Sequence, residues 1–263
     1  MLVRPPAVAG AFYPADAEEL EEMIDRFLEE AEDVEVEGRL RGLVEPHAGY
    51  IYSGPVAAYG YKLLSGYSRE IKKVFLLGPS HYGGFFGAAE SGAETWKTPL
   101  GDVKIGSFSE KAENKELFPV YEKAHAPEHC LEVQVPFLQR VLGDFTLYPV
   151  LVSDVEPDSV ADEIAKQLDD STIVIASSDL SHYKSYDAAV KTDRIANESV
   201  PALDIQKFSA QGDACGKAAI MVLMHLAKKM KWKGKMLDYR NSGDTAGPKE
   251  QVVGYGCYAF YEG

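Results

Sequence analysis

The sequence predicts an α/β fold, with a mainly parallel sheet covered by helices. Two observations carry that prediction. Short continuous apolar runs recur at 73–77 (KVFLL), 145–152 (FTLYPVLV) and 172–176 (TIVIA), as strands buried on both faces require. Stretches with helical spacing separate them. No internal repeat, low-complexity tract or Pro/Ser-rich linker breaks the pattern. A length of 263 residues fits one large domain or two small ones.

The elements follow in order. In residues 16–37, Leu20, Met23, Ile24, Phe27 and Leu28 recur at helical spacing with acids on the remaining face, which predicts an amphipathic helix. Residues 40–45 (LRGLVE) read as a short strand ending at Pro46-His47. Residues 55–64 predict a helix with Pro55 in its first turn. The strand at 73–77 runs into Gly78-Pro79-Ser80-His81. Residues 84–105, rich in Gly and β-formers, suit a hairpin or a lid. Residues 128–142 look helical, with Pro136 as a break or kink. A strand at 145–152 precedes a helix at 157–169, and the strand at 172–176 runs into Ser177-Ser178-Asp179. Helices follow near 186–198 and 216–230, and VVGYGCYAFY closes the chain as a strand.

Composition excludes several classes. Hydrophobic residues make up 46% and charged residues 26%, with 15 Tyr, 11 Phe and 2 Trp, which argues against disorder. No apolar run is long enough to span a bilayer and the N-terminus lacks a signal-peptide centre, so no membrane partner is expected. Three cysteines do not make a disulfide scaffold, and a cytoplasmic location is expected. The net charge of −14 argues against nucleic acid as the main partner. Residues 16–37 alone hold 12 acids and one Arg. The charge is therefore chiefly a solvated helix face, not a property of a reactive surface.

Ligands of open α/β sheets sit beyond the C-terminal ends of the strands. Three predicted strands end there in polar, His-bearing loops: 45–50 (EPHAGY), 78–82 (GPSHY) and 177–182 (SSDLSH). In a parallel sheet His47, His81 and His182 would share one edge. Cys215, in GDACGK before an apolar run, is placed near a helix N-terminus, where a thiolate is favoured as nucleophile or metal ligand. Cys130 and Cys257 read as inert. Glu128, His129, Glu132 and Gln134 form a further polar cluster. On a helix Glu128 and Glu132 would share a face, able to orient a metal-bound His or accept protons. Asp179 and His182 read as an acid/base pair, or Asp179 as a helix cap. Tyr50, Tyr52, Tyr82 and Tyr183 lie in or beside these loops as stacking partners for an aromatic ligand. No P-loop, dinucleotide fingerprint or CxxC pair is present.

Taken together, AGAFYPAD, PHAGYIYSG, LGPSHYGG, EHCLEVQVPF, SSDLSHY and CGKAAI resemble the Memo family over nearly the whole chain. The family is similar in fold to class III extradiol dioxygenases, non-haem iron enzymes that open catechol rings. The resemblance implies a three-layer α/β/α sandwich around one central sheet, as a single domain over residues 1–263. Residue by residue, it implies metal-site positions at His47, His81 and Cys215. Asp179 and His182, with His129 and Glu132 (beside Glu128), then become the candidate catalytic groups. The dioxygenases use two His and a carboxylate, so Cys215 is a departure that bears on ring cleavage. Fe(II) is the ion implied, and Cu or Zn also suits two imidazoles and a thiolate. Eukaryotic members are associated with motility signalling, phosphotyrosine-peptide binding and iron or copper handling. Prokaryotic relatives are often encoded beside a radical-SAM protein, which implies a shared pathway partner.

Three readings follow. The first is a metal-binding, dioxygenase-like protein acting on a small aromatic substrate. The second is a peptide- or protein-binding module on a retired enzyme fold. The third is a metal-free thiol enzyme with Cys215 as nucleophile, His81 or His182 as base and Asp179 as orienter.

Overall fold

The computed structural model describes residues 2–263. In chain order the elements are β1 (Val3–Arg4), α1 (Ala17–Glu30), β2 (Arg39–Glu45), α2 (Tyr50–Ser65), β3 (Lys73–Pro79), β4 (Ala88–Glu90), β5 (Thr95–Thr98) and β6 (Gly101–Ile105). There follow α3 (Glu122–His125), α4 (Val135–Val141), β7 (Thr146–Val152), α5 (Pro157–Ala165), β8 (Thr172–Ser177) and β9 (His182–Lys184). The chain closes with α6 (Tyr186–Ser199), α7 (Ile205–Gln211), α8 (Lys217–Met230), β10 (Lys233–Asn241) and β11 (Val252–Glu262).

Among the described residues eleven strands join one mixed sheet in the order β1-β5-β6-β7-β3-β8-β2-β11-β10, with β4 against β7 and β9 against β11. Its centre, β6 through β2, is parallel. The β11 and β10 strands run antiparallel at one side, and β5 pairs antiparallel with β6 at the other.

Period-2 alternation sends successive side chains to opposite faces, and each face carries its own core. Val74 and Leu76 of β3, Ile173 and Ile175 of β8, and Cys257 and Ala259 of β11 pack with α1, α2 and α4. Phe75 and Leu77, Val174 and Ala176, and Tyr258 and Phe260 pack with α5, α6 and α8. This is the predicted α/β/α layering.

Local chemistry explains the helices nearest the site. Asp16 caps α1, its carboxylate accepting from the Glu19 N–H at 3.0 Å. Leu20, Ile24 and Phe27 are buried, with Met23 and Leu28 packed beside them. The α2 helix starts at Tyr50, not at 55, so Pro55 sits inside it. Its start is held from outside the turn, by the Tyr50 N–H on Phe12 O at 2.8 Å and the Ser53 hydroxyl on Ala48 O at 3.0 Å. Gly60 lets α2 press on β2: a Cβ there would stand 1.8 Å from Glu45 Oε1.

Other expectations need correction. Residues 128–142 are not one helix: a turn leads into a 3-10 segment at Glu132–Gln134 and then α4. Pro136 sits in the first turn of α4 and helps start it, because that position needs no N–H donor. Of the two readings for residues 84–105 the hairpin holds: they supply β4 and the β5–β6 hairpin. The helix after 157 ends at Ala165. The sequence reading missed α7 and β10. The latter (KGKMLDYRN) is largely exposed or half-buried and lacks an apolar run.

Candidate metal centre

Because β2, β8 and β3 are adjacent and parallel, their C-terminal ends align, with Glu45 opposite Ser177 and Leu77 opposite Ala176. The three loops that leave them therefore meet. They line a cavity of about 720 Å³ with Phe12, His47, Ala48, Gly49, Tyr52, His81, His129, Asp179, His182, Tyr183 and Cys215, and Ser242, Gly247, Pro248, Gln251, Val253 and Tyr255 close its other side.

At its base the ligand atoms of His47, His81 and Cys215 lie within 4.8 Å of one another. Cys215 Sγ is 3.1 Å from His47 Nε2. The His47 and His81 rings stand edge to face at 5.4 Å. His129 stacks on His81 at 4.6 Å and meets the tilted ring of Phe12 at 4.7 Å.

The other nitrogens of both histidines are occupied. His47 Nδ1 is 3.1 Å from Ser177 Oγ. His81 Nδ1 donates to Glu128 Oε1 at 2.8 Å, and the His81 backbone N–H donates to Oε2 at 2.7 Å. Glu128 also accepts the N–H groups of His129 and Cys130. Burial works against its charge, but the hydrogen bonds from His81 and from the Cys130 N–H hold its carboxyl down at about 2. An Nδ1–H held by a carboxylate leaves Nε2 to face a metal, the usual arrangement of metal-ligating histidines. The donor set therefore fits a metal ion.

Asp179 is buried, and its carboxylate accepts the His47 N–H at 2.7 Å. Burial raises its pKa, against the His47 N–H and the nearby His182 and His129. His182 Nδ1–H donates to Leu180 O at 2.8 Å, which leaves its Nε2 free. Asp179 and His182 thus share the cavity wall while each is held by backbone. Burial is also the main reason why His47 falls to about 3 and His129 to about 4. Both are neutral at pH 7.

Two expectations fail on geometry. Glu132 is not in the cavity. Its carboxylate takes Arg4 Nη1 at 2.6 Å, the Ala7 and Val8 N–H groups at 2.8 and 2.9 Å, and the Tyr13 hydroxyl at 2.7 Å. Without a helix through 128–132, Glu128 and Glu132 share no face. Among the tyrosines, Tyr52 and Tyr183 line the cavity, whereas Tyr50 is buried with its hydroxyl on Val133 O and Tyr82 is not in the lining. Cys215 does precede α8, and burial, then the Asp179 charge, push its thiol up to about 12, against the helix terminus.

The sequence reading also passed over the wall from Ser242 to Tyr255, where a polar turn carries no chemical signature. Cys130 and Cys257 are buried away from the cavity. Among the described residues no helix is long and apolar enough to cross a membrane.

The family model for Memo-like proteins matches residues 4–259. A MEMO1 family protein of Ignicoccus hospitalis is 40% identical over 284 residues, covering 99% of each chain. One from Methanopyrus kandleri is 38% identical over 285 residues, with the same coverage. One from Nitrosopumilus maritimus is 35% identical over 278 residues, covering 98% of this chain and 100% of that protein.

Proposed function

The chain belongs to the Memo family, and on that premise we propose that it binds one metal ion, Fe(II) before Cu or Zn, through His47 Nε2, His81 Nε2 and Cys215 Sγ, and offers it to a small aromatic ligand in the cavity. One observation carries this reading: three soft and borderline donors converge within 4.8 Å while the outer nitrogens of both histidines are engaged elsewhere. A bound ion with three protein donors would supply a Lewis-acidic centre, redox-active with iron or copper, with room for an exogenous ligand.

The chain's own residues do the rest. Phe12, Tyr52 and Tyr183 give the cavity aromatic walls on which a planar ligand stacks. His182 Nε2, a free acceptor once Nδ1–H is spent on Leu180 O, takes the proton of a ligand hydroxyl. Asp179 holds the His47 loop through its backbone N–H.

The test is metal content by mass spectrometry on protein purified without air or chelator, beside His47→Ala and Cys215→Ser. Near one iron or copper per chain in the parent, absent from both folded variants, is the expected result. A parent chain without metal that takes none up on titration overturns the reading.

A further inference from the structure

Behind His47 lies a hydrogen-bonded chain of buried groups that the proposed chemistry does not use. Gln134 Nε2 donates to Ser177 Oγ at 2.7 Å and to Pro46 O at 2.9 Å. Pro46 O is a bare acceptor, so the nitrogen of the Gln134 amide must face it, and Oε1 is left to accept the Tyr61 hydroxyl at 2.7 Å. Ser177 Oγ in turn lies 2.6 Å from Cys130 O, another bare acceptor. The one hydroxyl proton of Ser177 is therefore committed to Cys130 O. Tyr61, Gln134 and Ser177 are each no more than 1% exposed, so no water competes for these bonds.

Ser177 Oγ has no second proton to give. Its 3.1 Å contact with His47 Nδ1 is a hydrogen bond only if the imidazole is the donor. We infer that Ser177 and Gln134 are positioning residues that set the tautomer of His47. Nδ1 carries the proton, and the lone pair of Nε2 is turned toward Cys215 before any metal arrives. The direction propagates from fixed ends. Two backbone carbonyls cannot donate, so Gln134 must donate to Ser177, Ser177 must donate to Cys130 O, and His47 must donate to Ser177. A carboxylate does this work for His81. For His47 a neutral chain does it, which adds no charge beneath the site. The inference deepens the metal reading, yet its first readout needs no metal.

The experiment is long-range proton–nitrogen NMR on the full-length, histidine-labelled chain freed of metal at neutral pH. The His47 signals are assigned by their loss in His47→Gln. The parent should show His47 with Nδ1 protonated. Ser177→Ala removes the acceptor and should move the population toward Nε2–H. It should also weaken Zn(II) binding, read by chelator competition, by about 10- to 100-fold. Ser177→Thr, which restores the hydroxyl, should recover both. Gln134→Met, which frees the Ser177 lone pair but spares the hydroxyl, should give a smaller shift. An Nε2–H tautomer in the parent overturns the inference, even if Ser177→Ala fails to fold. So does a folded Ser177→Ala with unchanged tautomer and Zn(II) affinity. A parent that takes up no Zn(II), iron or copper overturns the metal reading instead, while the tautomer still decides this one.

Discussion

Two buried carboxylates four residues apart, Glu128 and Glu132, are each 1% exposed and each accept four hydrogen bonds. They serve opposite purposes. No partner of Glu132 lines the cavity. Arg4, which lies over Trp96 at 4.3 Å and also donates to His125 O and Glu128 O, ties the N-terminal segment to the body of the chain. Among the partners of Glu128 is His81, a ring with a second nitrogen directed at the cavity. A buried charge becomes part of a site when it holds a two-ended group. When its partners only tie segments of the chain together, it is a rivet.

That contrast can be broken by mutation. Glu132→Ala leaves Arg4 buried without its counter-charge, which should destabilise the chain by about 3–5 kcal/mol. Urea unfolding would show this, and the metal content of whatever folds should match the parent. Loss of metal at unchanged stability would mean that the two carboxylates are not separate in role.

Acid should strain both regions. Burial lowers His47 to about 3 and His125 and His129 to about 4 from an ordinary 6.5. Below 6.5 the unfolded chain takes up protons that the folded chain refuses. These three histidines therefore lower stability as pH drops from 6.5 toward 4, by about 1 kcal/mol each over the first pH unit, while the raised carboxyls of Glu45 and Asp179 act in the opposite direction. The lowered Glu128 adds a term fully present above 4.5 and lost as pH falls toward about 2. Urea midpoints measured on either side of that first unit test it. His125→Gln, in the anchoring region, should remove about a third of the histidine contribution, and an unchanged slope would assign none of it to that region.

The smallest effect sharpens the comparison. Glu128→Gln replaces an acceptor of four N–H groups with an amide that can accept through only one oxygen. Metal affinity should fall about 10- to 100-fold, or roughly 1.4–2.7 kcal/mol. Chelator competition measures it. An affinity equal to the parent's would show that Glu128 does not support the ligand.

Much of this was legible beforehand because it rests on local chemistry. The TIVIA and KVFLL runs suit only doubly buried strands, and the helix predicted around Leu20, Ile24 and Phe27 carries its own period and its own cap. The cavity placement of His47, His81, His182, Asp179 and Cys215 followed from strand ends and from family motifs. The failures share one cause. Glu132 in EHCLEV reads as a partner of Glu128 until Arg4, 128 residues away, claims it. Cys215 does stand before a helix, yet burial outweighs the helix terminus. The exposed, charged β10 has no strand signature because its place depends on pairing with β11.

The sequence by itself determined the layer architecture, the family and the residue types at the strand ends, since periodicity and motif spacing are properties of the chain alone. Only the tertiary structure decided which acid holds a cavity histidine, which nitrogen of His47 is turned toward Cys215, and how deeply that thiol is buried. Each depends on burial and on donors brought from distant segments, and a hydrogen-bond direction exists only once both ends of its chain are in place.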